Sequence, residues 1–178
     1  MPTPGWRQAF AAPHRPLFLA GSLQIVAAAI WWLALLASRG EGIDIPAPMP
    51  VSEAHAWFMI QGLFPFFVFG FLFTAMPNWV EGKKIEAREY IGTTVCLGLG
   101  TLSTWAGILA APLAWLGVFL HCLGWIVGAS ALLRILRAAG HPDKRQPWLV
   151  WATLVAGGAS DSAFLVGLVA GLSQSTAL

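Results

Sequence analysis

Few side chains in this strongly apolar chain can do chemistry, and those few fall in two groups. The first is His55 and Met59, in the stretch EAHAWFM (residues 53–59). A spacing of four puts both on one helix face. Imidazole nitrogen and thioether sulfur on a shared face are ligands for copper, or for one axial side of a haem. Gly62 falls on nearly the same stripe and would leave a notch beside them. The second group is His121 and Asp161, each placed inside an apolar run. An ionisable group in hydrocarbon costs a few kcal/mol and needs a partner or a purpose. His121 is about 12 residues, or roughly 18 Å, from the basic end of its run, and Asp161 about 14 residues, or roughly 21 Å. The two therefore share a level and can touch. Such a pair is a proton relay or a carboxylate orienting a ligating imidazole, or it is a structural hydrogen bond between helices, assisted by Ser160 and Ser162. His55, His121 and Met59 are thus the candidate cofactor-binding residues, with His55 and Met59 the candidate metal ligands. His55 is about 21 residues, roughly 32 Å, from its own basic end. That is too far outward to share one iron with His121 unless a helix breaks. Cys122 points about 100° away from its neighbour His121 and is a poor co-ligand. His14, beside Arg15, is expected to be solvated or to face headgroups.

Other chemistries lack their motifs. The sequence has no Cys-x-x-Cys-His for covalent haem, no Gly-x-x-x-x-Gly-Lys-Ser/Thr for nucleotide and no His-Glu-x-x-His for zinc. No residue set defines a reaction, so no catalytic residue is assigned. The basic residues lie in short loops, which argues against nucleic acid as a partner.

The elements that must position these residues follow from composition. Of 178 residues, 57% are hydrophobic and only 10% charged, where soluble domains carry about 25% charged. Mean hydropathy is +0.70. The expectation is an all-α polytopic membrane bundle in contact with the lipid bilayer, forming a single transmembrane domain over residues 1–178. Five spans are expected, over about 16–38, 54–76, 89–111, 113–136 and 147–172, each sufficient for a hydrocarbon core of roughly 30 Å. Pro65 should kink the second span, Pro77 should stop it, and Pro112 should force a very short connection. Arg7, Arg15, Lys83, Lys84, Arg88, Arg134, Arg137, Lys144 and Arg145 all fall on one side, and only Arg39 on the other. The positive-inside rule then puts the N-terminus in the cytoplasm and the C-terminus in the periplasm. Cys96 and Cys122 lie in apolar runs and are not expected to pair. The segment before the first span has no continuous apolar core of a signal peptide.

The motifs PHRPLFLAG (residues 13–21), AHAWFMIQG (residues 54–62) and GFLFTAMPNW (residues 70–79) resemble the N-terminal part of the NnrS family. These are polytopic bacterial membrane proteins linked to nitric-oxide and denitrification metabolism. The family opens its second helix with a His-Ala-His-Glu-Met-like string and closes it with Val-Pro-Asn-Trp. His55 falls on the first histidine, Met59 on the methionine and Pro77-Asn78-Trp79 on the closing triplet. The second histidine is Trp57 here and the following acid is Phe58. Members have roughly twice as many spans, so a shortened form is expected. The resemblance implies haem b and/or copper as cofactors, with His55 the surviving ligand position, in a bacterial inner membrane and in nitric-oxide response or respiration. The alternative is a cofactor-free accessory subunit packed on other membrane protein subunits of a respiratory or photosynthetic complex.

Overall fold

The computed structural model describes residues 10–175, and no strand occurs among them. Six helical segments follow one another: α1 (His14–Ser38), α2 (Val51–Met59), α3 (Phe64–Trp79), α4 (Ala87–Ala106), α5 (Ala111–Ala138) and α6 (Arg145–Ser175). Four stretches are long and apolar enough to cross a membrane: His14–Ser38, Val51–Trp79, Ala111–Ala138 and Arg145–Gly171. The remaining expected span, the third (89–111), corresponds to α4, which is 20 residues long. Thr93, Thr94, Thr101, Ser103 and Thr104 make α4 more polar than the others. Three of its hydroxyls fold back onto its own backbone. Thr93, Thr94 and Thr104 donate to the carbonyls of Glu89, Tyr90 and Gly100 at 2.7–2.9 Å.

Sequence periodicity predicts one helix over 54–76, and here the structure differs. The helix is interrupted at residues 60–63 and divides into α2 and α3. Pro65 sits in the first turn of α3, where its missing N–H is no loss. It does not kink a continuous helix; it opens a new one. The chain crosses the gap with Gly62 N–H donating to the Trp57 carbonyl at 2.8 Å and Phe64 N–H to the Ile60 carbonyl at 3.1 Å. Pro77 does not stop α3, which runs two residues further to Trp79.

The other helix ends are built locally. Glu86 N–H donates to Glu89 Oε2 at 3.0 Å, opening α4. Asp143 Oδ1 accepts the Arg145 N–H at 3.1 Å at the start of α6. Lys144 Nζ donates to the carbonyls of Leu136 and Ala139, both at 2.9 Å. An ammonium thereby satisfies carbonyls that the end of α5 leaves open. Arg134 Nε donates to Glu89 Oε1 at 2.9 Å and ties α5 to α4 at the same end.

α4 and α5 form the closest helix pair. Gly100, Gly117 and Gly124 bring the two backbones together. A Cβ on Gly117 would stand 2.3 Å from the Thr104 nitrogen, and one on Gly100 2.7 Å from the His121 nitrogen. In lipid, where no hydrophobic force drives helices together, such contact supplies packing energy. Two clusters of buried side chains fill the bundle. The one nearer the basic end is built on Phe66, Phe69, Phe73, Leu97, Trp125 and Leu132. The other contains Trp31, Trp57, Phe58, Val118 and Cys122. Phe58 stacks on Trp105 at 3.9 Å between ring centres, and Trp31 meets both rings edge-on at 5.7 Å. The outer helices are mostly uncovered: Leu19, Leu23, Val26, Ile30 and Leu33 project from α1, and Leu149, Val155, Val166 and Val169 from α6.

The Gly117 contact yields the first test. Gly117→Ala puts a methyl group against backbone, so the hairpin of α4 and α5 must open. A loss of about 1–3 kcal/mol is expected, read as a lowered Tm in detergent. Gly98→Ala, where a Cβ meets nothing within 4 Å, should leave Tm within the scatter of the unmodified protein.

Candidate functional site

Asp161, on α6, is fully buried, as is His121 on α5. His121 Nδ1 stands 2.8 Å from Asp161 Oδ2. The Trp57 indole N–H, from α2, donates to Asp161 Oδ1 at 2.9 Å. The Cys122 thiol reaches the same Oδ2 at 3.6 Å and in turn accepts the Ser162 hydroxyl at 3.7 Å. One carboxylate on α6 therefore collects polar contacts from two other helices, α2 and α5. With Asp161 as a carboxylate, which only accepts, the imidazole would carry its proton on Nδ1. Nε2 is then a free lone pair, and it has no hydrogen-bond partner. The small residues around Asp161 make this possible: Gly157 and Gly158 lie against the Trp125 ring. Ser160, expected to assist, is exposed.

The other expected group lies apart. The His55 ring stacks on Trp32 of α1, at 3.6 Å between centres and 15° between planes. It stands two residues before Trp57, about 200° around α2, and so faces away from His121. Met59 is half-buried at the last position of α2. Gly62 is not on their stripe, because the helix has ended; it lies beside Gln24 and Phe58 instead. His14 is half-buried, with Nδ1 3.4 Å from the Thr74 hydroxyl. Cys96 and Cys122 are both free thiols.

A haem needs a flat slot beside its ligating nitrogen, and copper needs two or three converging donors. His121 has the electronic arrangement of a ligand, with a carboxylate behind Nδ1 and Nε2 open. Its surroundings are filled, however. The Trp57 ring meets the imidazole edge-on at 5.2 Å, and the α4 backbone closes over its Cβ at Gly100. Among the described residues no three His, Cys, Asp or Glu side chains are grouped to hold a metal ion. The side chains present do not by themselves fit a haem or copper centre.

Sequence reasoning missed two participants. The Trp57 N–H is one; its signal is an indole, which must find an acceptor when buried, one turn inside a run that carries few acceptors. Gln24 is the other, a lone amide in mid-α1. Its Oε1 accepts the Trp105 N–H at 2.9 Å, and its Nε2 donates to the Phe58 carbonyl at 3.4 Å.

An all-helical chain with several apolar spans and a buried polar cluster between them is a multi-pass membrane protein. The family model described as NnrS protein matches residues 8–178, and the chain belongs to that family. Membership associates it with the nitric-oxide response. No curated protein and no solved structure matches it.

Trp57→Phe keeps the ring but removes the donor to a buried carboxylate. Hydrogen bonds to charged groups are worth about 1.5–3 kcal/mol, so a loss of that size is expected in detergent unfolding. Asp161→Asn in the same background should then cost less than in the unmodified protein. Equal costs in both backgrounds would show that the two side chains do not act together.

Proposed function

We propose that this chain serves the nitric-oxide response or the associated respiration as a helical subunit of a larger membrane assembly, without a haem or copper centre of its own. The observation that carries this reading is the Trp57 indole on Asp161. Where the family pattern has its second motif histidine, a larger ring fills the core, and its N–H uses the carboxylate that backs His121. The uncovered apolar faces of α1 and α6 support packing against lipid or further helices; a respiratory complex fits the family's metabolism. The proposed topology is one transmembrane domain crossing a bacterial inner membrane five times, with the N-terminus cytoplasmic and the C-terminus periplasmic. In its support, Lys83, Lys84, Arg134 and Lys144 all lie in or beside the connections at one end, and α4 satisfies three of its hydroxyls internally.

One observation favours a second reading. The buried, unpartnered Nε2 of His121 suits ligation of haem b or copper in the assembled complex, with the remaining donors coming from another subunit. His55 and Met59 would in that case serve at the outer surface, separately from His121.

Purification in a mild detergent separates the two readings. The first expects a preparation with no Soret band and no stoichiometric iron or copper, eluting together with other membrane subunits. A Soret band or bound copper that disappears in His121→Ala would overturn it in favour of the second. Elution as a lone monomer would remove the subunit role. Accessibility tags on the two termini should report opposite compartments; finding both in one would overturn the five crossings.

A further inference from the structure

A cavity of about 220 Å³ opens sideways between α1, α3 and α4. Its walls are Ala20, Ala27 and Gly98, which make the room, and Phe66 and Trp105, which are flat. Leu23 and Leu102 stand at its rim, 65% and 66% exposed. Two polar side chains reach it, Gln24 and Thr101, each only 5% exposed. Neither belongs to the Asp161 cluster.

Thr101 is the anomaly. Three other threonines of α4 give their hydroxyls to the carbonyl four residues back. Thr101 does not, and its Oγ1 has no hydrogen-bond partner. A hydroxyl buried in an apolar setting without a partner carries an uncompensated desolvation penalty. Gln24 uses its Oε1 on Trp105 and donates to the Phe58 carbonyl through Nε2, which leaves it a second N–H to give. Two polar side chains that each keep a proton to give thus line the cavity, Thr101 with its hydroxyl buried just behind the wall, and no charged group lines it.

We infer that this cavity binds the head group of an uncharged, lipid-soluble carbonyl compound of the quinone class. A carbonyl oxygen accepts from Thr101 and Gln24. A flat ring lies against Trp105 and Phe66. The volume is below the roughly 300–1,000 Å³ of drug-sized sites and suits one substituted six-membered ring. A tail leaves past Leu23 and Leu102. Depth selects against phospholipid ester carbonyls: Gln24 is roughly 15 Å and Thr101 roughly 21 Å along their helices from the basic end, near the middle of a hydrocarbon core roughly 30 Å thick. Ester groups stay at its edges. The inference is independent of whether His121 ligates a metal.

The test uses the full chain in lipid nanodiscs, titrated with decyl-benzoquinone and followed by quenching of tryptophan fluorescence. Saturable quenching is expected. Gly98→Leu, whose side chain enters space where a Cβ meets nothing within 4 Å, should weaken it at least tenfold. Thr101→Val, equal in shape and lacking the hydroxyl, should weaken it about fivefold, the value of one hydrogen bond. Decylbenzene, with the same tail and no carbonyl, should not compete. Non-saturable quenching, an affinity unchanged in Thr101→Val, or competition by decylbenzene equal to that of the quinone would each overturn the proposal. Thr101→Val decides the matter if Gly98→Leu does not fold.

Discussion

A carboxylate buried among apolar helices must be surrounded by donors, and the Asp161 site is arranged by that requirement. Water is absent from the hydrocarbon, so every lone pair left unmet is a standing penalty. Asp161 meets the requirement with an indole from α2, an imidazole and a thiol from α5, and small residues on its own helix that let these approach. The consequence is positional. The short helix α2 is held by its Trp57 against α6, and α6 is held against α5 at the level of His121. The second contact adds to the packing of α6 on α5, where Leu154 is buried and the Trp151 N–H donates to the Ala129 carbonyl at 2.9 Å.

The same solvent logic governs α4 and α5. Their glycines allow backbone to approach backbone, and the threonines of α4 are turned inward onto its carbonyls. A polar helix becomes compatible with an apolar environment once its hydroxyls are spent locally. Thr101 and Gln24 stand out against this background, because each lines an open space. The indole of Trp105 joins the two regions: it donates to Gln24 and stacks on Phe58, which packs edge-on against Trp57. A chain of rings thus runs from the lateral cavity to the buried carboxylate.

Much of the site was legible by counting. Helix rise alone puts His121 and Asp161 at one level, because α5 ends and α6 begins at the same basic end and the rise per residue is constant. The separation of His55 from His121 follows from the same count. Other features were not legible. The interruption at residues 60–63 does not stand out in averaged hydropathy, because Gln61 and Gly62 are only two residues set between Ile60 and Leu63 in a long apolar run. Pro65 signals a disturbance but not whether a helix bends or stops. Gly62 was assigned to the stripe of His55 and Met59 on the assumption of an unbroken helix, and that stripe ends at Met59. Cys122 was set aside because adjacent residues diverge, yet its thiol and the His121 imidazole converge on one oxygen, since a carboxylate oxygen can be approached from two directions.

By itself, the sequence determined the class of protein, the helix content and the family, because apolar composition, run length and local motifs are properties of neighbouring residues. It also determined which polar side chains needed partners. Only the tertiary structure decided who those partners are. That Trp57 rather than Ser160 completes the Asp161 shell, that His55 turns to Trp32, and that Thr101 alone among its neighbours keeps an unspent hydroxyl all depend on helix rotation and on where one helix breaks. Those are outcomes of packing between segments far apart in the chain, and no local pattern encodes them.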